Sequence, residues 1–151
     1  MFEFRDPGRL VDGDLELVLA EQYPGDPLLN RVPVYKFEIR QVGASQAIGQ
    51  IELRMGDTKH LIMYAGHVGY CVEPKHRGHG YAARACRLLL PLAWSHGMTT
   101  LWITCNPDNV ASRRTLERLG AQYVETVDLP EGIDMYQKGA RQKCRYRIEL
   151  G

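Results

Sequence analysis

Tyr70-Cys71-Val72-Glu73-Pro74-Lys75-His76-Arg77-Gly78-His79-Gly80-Tyr81-Ala82-Ala83 reads as the end of a strand, a glycine-rich turn and the start of a helix. The helix is expected from Tyr81 to His96. Ala82, Ala85, Cys86, Leu89, Leu92 and Ala93 recur at helical spacing, and Pro91 should bend it. A helix that begins this way leaves its first backbone N–H groups without partners, and the positive end of its dipole stands behind them. A pyrophosphate fits such a spot. Gly78 and Gly80 let the chain turn tightly and approach an anion, and Arg77 adds a positive charge. A P-loop would need GxxxxGK followed by Ser or Thr, which is absent. A dinucleotide fold would need GxGxxG, and Gly78-His79-Gly80-Tyr81-Ala82-Ala83 supplies only the first two glycines.

Working outward, the N-terminal half alternates like an antiparallel meander. Leu15–Leu19 reads as a short strand after the turn at Asp12-Gly13-Asp14. From Val34, Tyr35, Phe37 and Ile39 alternate with Lys36, Glu38 and Arg40, the pattern of a half-buried strand. Ala47–Met55 is the next strand, and Leu61–Val72 a further one interrupted near Gly66. On the C-terminal side, Thr100–Cys105 is a short buried strand and Asn109–Leu119 a second helix, stopped by Gly120. Strands follow at Gln122–Val127 and Gln142–Leu150. The expected fold is mixed α/β: a mostly antiparallel central sheet with one parallel pair at the loop, flanked by helices.

The 151 residues suit one domain, 1–151, with one core. A net charge of +1 gives no reason to expect nucleic acid or an anionic membrane as partner. No apolar stretch is long enough to span a bilayer, and the first residues lack the apolar segment of a secretory signal. Cys71, Cys86, Cys105 and Cys144 fit neither a disulfide framework nor a CxxC metal site, so they read as reduced cysteines of a cytoplasmic protein. His60, His67, His76, His79 and His96 form no metal pattern, and none is expected.

The glycine-rich run resembles motif A of the GNAT superfamily, R/Q-x-x-G-x-G/A, with Lys75 a mild departure at its first position. A second landmark follows: Asn106-Pro107-Asp108-Asn109-Val110-Ala111-Ser112, then Leu116-x-x-Leu119-Gly120, similar to the family's N-x-x-N-x-x-S before a helix ending in Gly. This variant is similar to the branch containing ribosomal-protein N-acetyltransferases. The resemblance covers residues 47–127 well and the first third poorly. It implies acetyl-CoA as cofactor. The backbone of Val72 would pair with the pantetheine arm, and the N–H groups of Arg77, Gly78, His79, Gly80, Tyr81 and Ala82 would hold the pyrophosphate. Asn109 and Ser112 would contact the pantetheine or its sulfur end, with a plain helix cap as the competing role for Asn109.

The resemblance further implies acetyl transfer to an amine. His67, five residues before Val72, stands where some family members keep a base carboxylate, and a histidine works near neutral pH. Glu52, on the preceding strand, is the second candidate base. Many family members place a tyrosine acid in the second helix, but Leu116 stands there, so that role does not carry over. Residues 20–33 are too short and proline-rich for the helices that usually wall the acceptor. The cleft is therefore open or completed by a second copy, a homodimer through the sheet edge or final strand. Asp128–Gly139, with Asp128, Glu131 and Asp134, is the other expected wall. The acceptor, a small amine or a peptide N-terminus, stays open. An inactive acyl-CoA-binding module and a simple phosphate binder are the competing readings.

Overall fold

The computed structural model describes residues 2–151. Five strands, β1 (Leu10–Asp12), β2 (Leu15–Tyr23), β3 (Val34–Gln41), β4 (Ala47–Arg54) and β5 (Val68–Val72), form one antiparallel meander in chain order. Alternation along these strands explains it. Leu15, Leu17, Phe37, Ile39, Ile51 and Leu53 are buried on one face, while Lys36, Glu38, Gln50, Glu52 and Arg54 stay at least partly exposed on the other. Helix α1 (Tyr81–Ser95) lays Ala85, Cys86, Leu89, Leu92 and Ala93 on the apolar face. It runs continuously through Pro91, which stands exposed.

The remaining strands, β6 (Thr100–Cys105), β7 (Gln122–Asp128) and β8 (Gln142–Glu149), make a second antiparallel sheet in the order β6-β8-β7. Helix α2 (Val110–Leu119) joins β6 to β7 and buries Leu116 and Leu119. A four-residue helix, α3 (Asp134–Gln137), sits between β7 and β8. One buried apolar cluster runs under both sheets.

The expected mixed α/β architecture forms, with two corrections. The parallel pair exists as neighbours and not as a ladder. β5, α1 and β6 make one crossover, and Gly66 lies against Trp102–Thr104. Yet β5 and β6 belong to different sheets. The second correction concerns Leu61–Ala65, which is a π-helical turn and not a strand. Its carbonyls serve side chains from elsewhere: Thr104 Oγ1 donates to Tyr64 O at 2.7 Å and Arg54 Nη1 to Ala65 O at 2.8 Å. Tertiary bonds thus override the β-like composition of the run.

Between β2 and β3 there is only a short 3-10 turn, Pro27–Leu29. Among the described residues no helix covers the outer face of the five-stranded sheet, as the composition of residues 20–33 indicated. Ion pairs occupy it instead: Glu38 with Arg40 and Glu52 with Arg54.

Gly66 closes the π-turn with φ 77°, and a Cβ there would meet Trp102 O and Thr104 N at 3.1 Å. Gly66→Ala is therefore expected to lower the unfolding free energy by about 1–3 kcal/mol through strain and crowding. Urea unfolding checks this; an unchanged midpoint would show that the junction yields freely.

Candidate active site

The free edge of β5 is the starting point. Arg54 N donates to His67 O at 2.7 Å and Glu73 N to Ile48 O at 2.9 Å. In an antiparallel pair these groups alternate sides, so the N–H and C=O of Val68, Tyr70 and Val72 point away from β4, toward β6. No ladder takes them up there. A cleft of about 380 Å³ lies along this edge, lined among others by Tyr70, Val72, Gly80, Ser112, Arg114 and Arg118.

At one end of the cleft the glycine-rich loop enters α1. Gly78 has φ 86° and Gly80, the helix cap, φ 74°. Apart from its own chain neighbours, nothing lies within 4 Å of the position a Cβ on Gly78 would take. The first-turn N–H groups of α1 face outward from this turn, with the dipole behind them. Arg77 plays a different part from the one expected. Its N–H bends back to Pro74 O at 3.3 Å, and its Nε donates to Val72 O at 2.8 Å. The loop's available N–H groups thus begin at Gly78, and Val72 keeps its N–H, not its C=O, for an incoming chain. The ring of His79 lies beside that of Tyr81, tilted by 34° with centroids 5.4 Å apart, and is outside the cleft lining, whereas Tyr81 and Ala82 belong to it.

At the other end stands α2. Asn109 caps it: its Oδ1 accepts from Ser112 N at 3.1 Å. The cap role is realised, and Asn109 also borders the cleft. The Ser112 hydroxyl shares a hydrogen bond of 2.6 Å with Tyr70 Oη. Burial pushes the Tyr70 phenol up to about 12, against the lowering effect of that hydrogen bond. Sequence reasoning missed Tyr70, although it sits two residues from Val72. It also missed Arg114 and Arg118, which line the cleft. Their spacing of four on a predicted helix was the available signal.

A second cavity, a groove of about 470 Å³, runs over the outer sheet face beside Lys36, Glu38, Gln50, Glu52 and Arg54. Tyr70 and Cys71 border both cavities. Glu52 stands opposite Gly69 across the β4–β5 pair. Arg54 Nε donates to Glu52 Oε1 at 2.9 Å, and Arg54 Nη2 stands 2.9 Å from the same oxygen as an ion pair. Glu52 Oε2 carries neither bond.

His67 does not stand free as a base. It is 4% exposed. Its Nδ1 accepts from Trp102 N at 2.9 Å, so Nε2 carries the proton and donates to Gly56 O at 2.9 Å. Burial pushes its pKa below the ordinary histidine value, although the Gly56 bond works the other way. Both nitrogens are committed to backbone, which corrects the expectation that His67 takes a proton from the acceptor. Tyr146 is buried with its hydroxyl on Arg113 Nε at 3.2 Å, and Asp134 pairs with Lys138 at 2.9 Å. Leu116, where a tyrosine acid is usual, is fully buried in the core.

Compared with known proteins, residues 16–122 match the family model described as an acetyltransferase (GNAT) domain. The chain belongs to the GNAT acetyltransferase family. The family's donor is acetyl-CoA, and the cleft fits it: an open glycine turn and helix N-terminus for the pyrophosphate, two arginines beside it, and an unpaired strand edge for the arm. Among solved structures of this fold, a probable GNAT acetyltransferase from Chromobacterium violaceum has TM-score 0.69 at 15% identity, covering 97% of this chain and 88% of that one. A structure assigned as a ribosomal-protein-serine acetyltransferase from Vibrio cholerae has TM-score 0.66 at 17% identity, covering 96% and 99%. The microcin self-immunity acetyltransferase MccE, solved with acetyl-CoA and AMP, has TM-score 0.59 at 17% identity, covering 77% and 61%. The chain thus spans less than two thirds of the length of MccE. No curated protein is similar enough in sequence to match. No helix among the described residues is long and apolar enough to cross a membrane.

Two outcomes are expected. Arg118→Gln should weaken CoA binding roughly fivefold at low ionic strength, with the gap closing as salt screens the charge. Calorimetry at two salt concentrations checks it, and an equal gap at both would remove the electrostatic role. For His67 the folded pKa is depressed, so its stabilising contribution is complete above about pH 6.5, where the unfolded residue is also neutral. It is lost as pH falls from there through the folded pKa, and His96, likewise pushed down by burial, acts in the same direction. The melting temperature should decline across that window, and less so in His67→Gln. Parallel curves for the two proteins would count against it.

Proposed function

We propose that this domain transfers the acetyl group of acetyl-CoA directly to an amine, the acceptor entering by the outer groove. The observation that carries this reading is the meeting of the two cavities at Tyr70 and Cys71. One holds hydroxyls and anion-binding groups, and the other holds carboxylates, Glu52 among them. Acetyl-CoA supplies an activated thioester. Val72 N–H, on the free edge of β5, is available to hold the arm and polarise its carbonyl. Glu52 receives, through Oε2, the proton that the attacking amine loses, directly or by way of water. Ser112 passes a proton to the departing sulfur while taking that of Tyr70, and solvent returns the proton to Tyr70, whose phenol is protonated at rest because burial holds its pKa at about 12. Holding both reactants in place is worth roughly 7–11 kcal/mol, and a base adds about 10²–10⁴-fold.

The acceptor class is a small amine or a peptide N-terminus. The assignment of the Vibrio cholerae structure as a ribosomal-protein-serine acetyltransferase supports the latter. The uncovered sheet face agrees with an acceptor too large for a closed pocket. An inactive binder was suggested by Leu116 alone, and the hydroxyl pair of Tyr70 and Ser112 removes that motive. The same reading takes residues 1–151 as one cytoplasmic domain whose cysteines stay reduced. It also takes two copies to pair through edge strand β7, where Tyr123 and Val124 are exposed.

CoA at a hundred times its Kd should stabilise the fold by about 2.7 kcal/mol. With peptides and small amines as acceptors, thiol release from acetyl-CoA should fall about 10²-fold in Glu52→Gln, with CoA affinity kept. Tyr70→Phe with Ser112→Ala should lose more turnover than either change alone. Wild-type turnover in Glu52→Gln would move the base elsewhere.

A further inference from the structure

His67 uses all four of its polar groups at a single point of the fold. Its N–H donates to Trp102 O at 2.6 Å, and its C=O accepts from Arg54 N at 2.7 Å. On the ring, Nδ1 accepts from Trp102 N and Nε2 donates to Gly56 O, both at 2.9 Å. Trp102 therefore gives both of its backbone groups to this one residue. The backbone changes sides here: the N–H faces β6 and the C=O faces β4. One residue later β5 begins, and its inward edge pairs with nothing in β6.

The ring nitrogen takes an N–H of β6 that a continuing ladder would have given to a carbonyl of β5. The clamp thus joins the two strands at the closed end of the slot and lets them part beyond it. Gly66 permits the contact, since a Cβ there would sit 3.2 Å from Ile103 Cα. Thr104, which donates to Tyr64 O at 2.7 Å, adds a second tie on the same side. The pyrophosphate turn at Gly78–Gly80 lies beyond the other end of β5, outside the reach of these bonds.

We propose that His67 is a positioning residue, whose three-way clamp on Trp102 and Gly56 sets the opening between β5 and β6 that receives the pantetheine arm. This rests on the donor-site reading above. It separates the two ends of the ligand. The nucleotide end is held by the glycine turn and arginines, and only the arm depends on the clamp.

The test is calorimetric binding of CoA and of 3′-phospho-ADP, which lacks the arm, to the wild-type chain, His67→Ala and His67→Phe. The Phe variant keeps the ring volume and loses both nitrogens. Expected is about a tenfold rise in the Kd of CoA, with the Kd of 3′-phospho-ADP within about twofold. Equal losses for both ligands, no loss for either, or failure of both variants to fold would overturn the proposal, because His67 would then be merely structural or irrelevant to the slot. A wild-type chain that binds neither ligand would instead overturn the donor-site reading itself.

Discussion

Everything at the donor site depends on a strand edge that the fold leaves unpaired. Backbone N–H and C=O groups inside a domain demand partners. β5 satisfies β4 on one side and presents Val68, Tyr70 and Val72 to a gap on the other. Closing that gap with a ladder to β6 would give an ordinary parallel pair and no site. The domain avoids this by dividing its strands between two sheets that share one apolar core. A ligand with its own amide groups can then add itself to the edge as a strand would.

Charge reinforces the same geometry. α1 and α2 both begin beside the cleft, and their first-turn N–H groups and dipoles favour anions there. The chain's net charge is only +1, so the attraction is local. It comes from helix ends and from Arg114 and Arg118, which stand one turn apart on α2. Opposite charges on the far sheet face are paired with each other, Glu38 with Arg40 and Glu52 with Arg54. That face is polar because no helix covers it: an apolar surface of that size would not stay in water. The missing helices and the polar alternation of β3 and β4 are two expressions of one design, an outer sheet face open to solvent.

The sequence by itself determined the elements whose signal is local. Alternation in Tyr35–Arg40, helical spacing in Ala82–Ala93, and the glycines of Gly78–Gly80 and Gly120 fix strands, helices and turns through short-range sterics and patterning. The anion turn was legible for the same reason, and so was the Asn109 cap. Tertiary structure alone decided what distant residues do to each other. His67 sits at a position that suggests a base, yet Trp102, 35 residues away, occupies its Nδ1. Leu61–Ala65 has a strand's composition, but Arg54 and Thr104 draw its carbonyls into a π-turn. Tyr70 meets Ser112 only because β5 and α2 converge, 42 residues apart in the chain. Periodicity records which face of an element is buried, and it carries no information about which partner waits there. Hydrogen bonds between remote segments, which set the protonation of His67, are therefore written only in three dimensions.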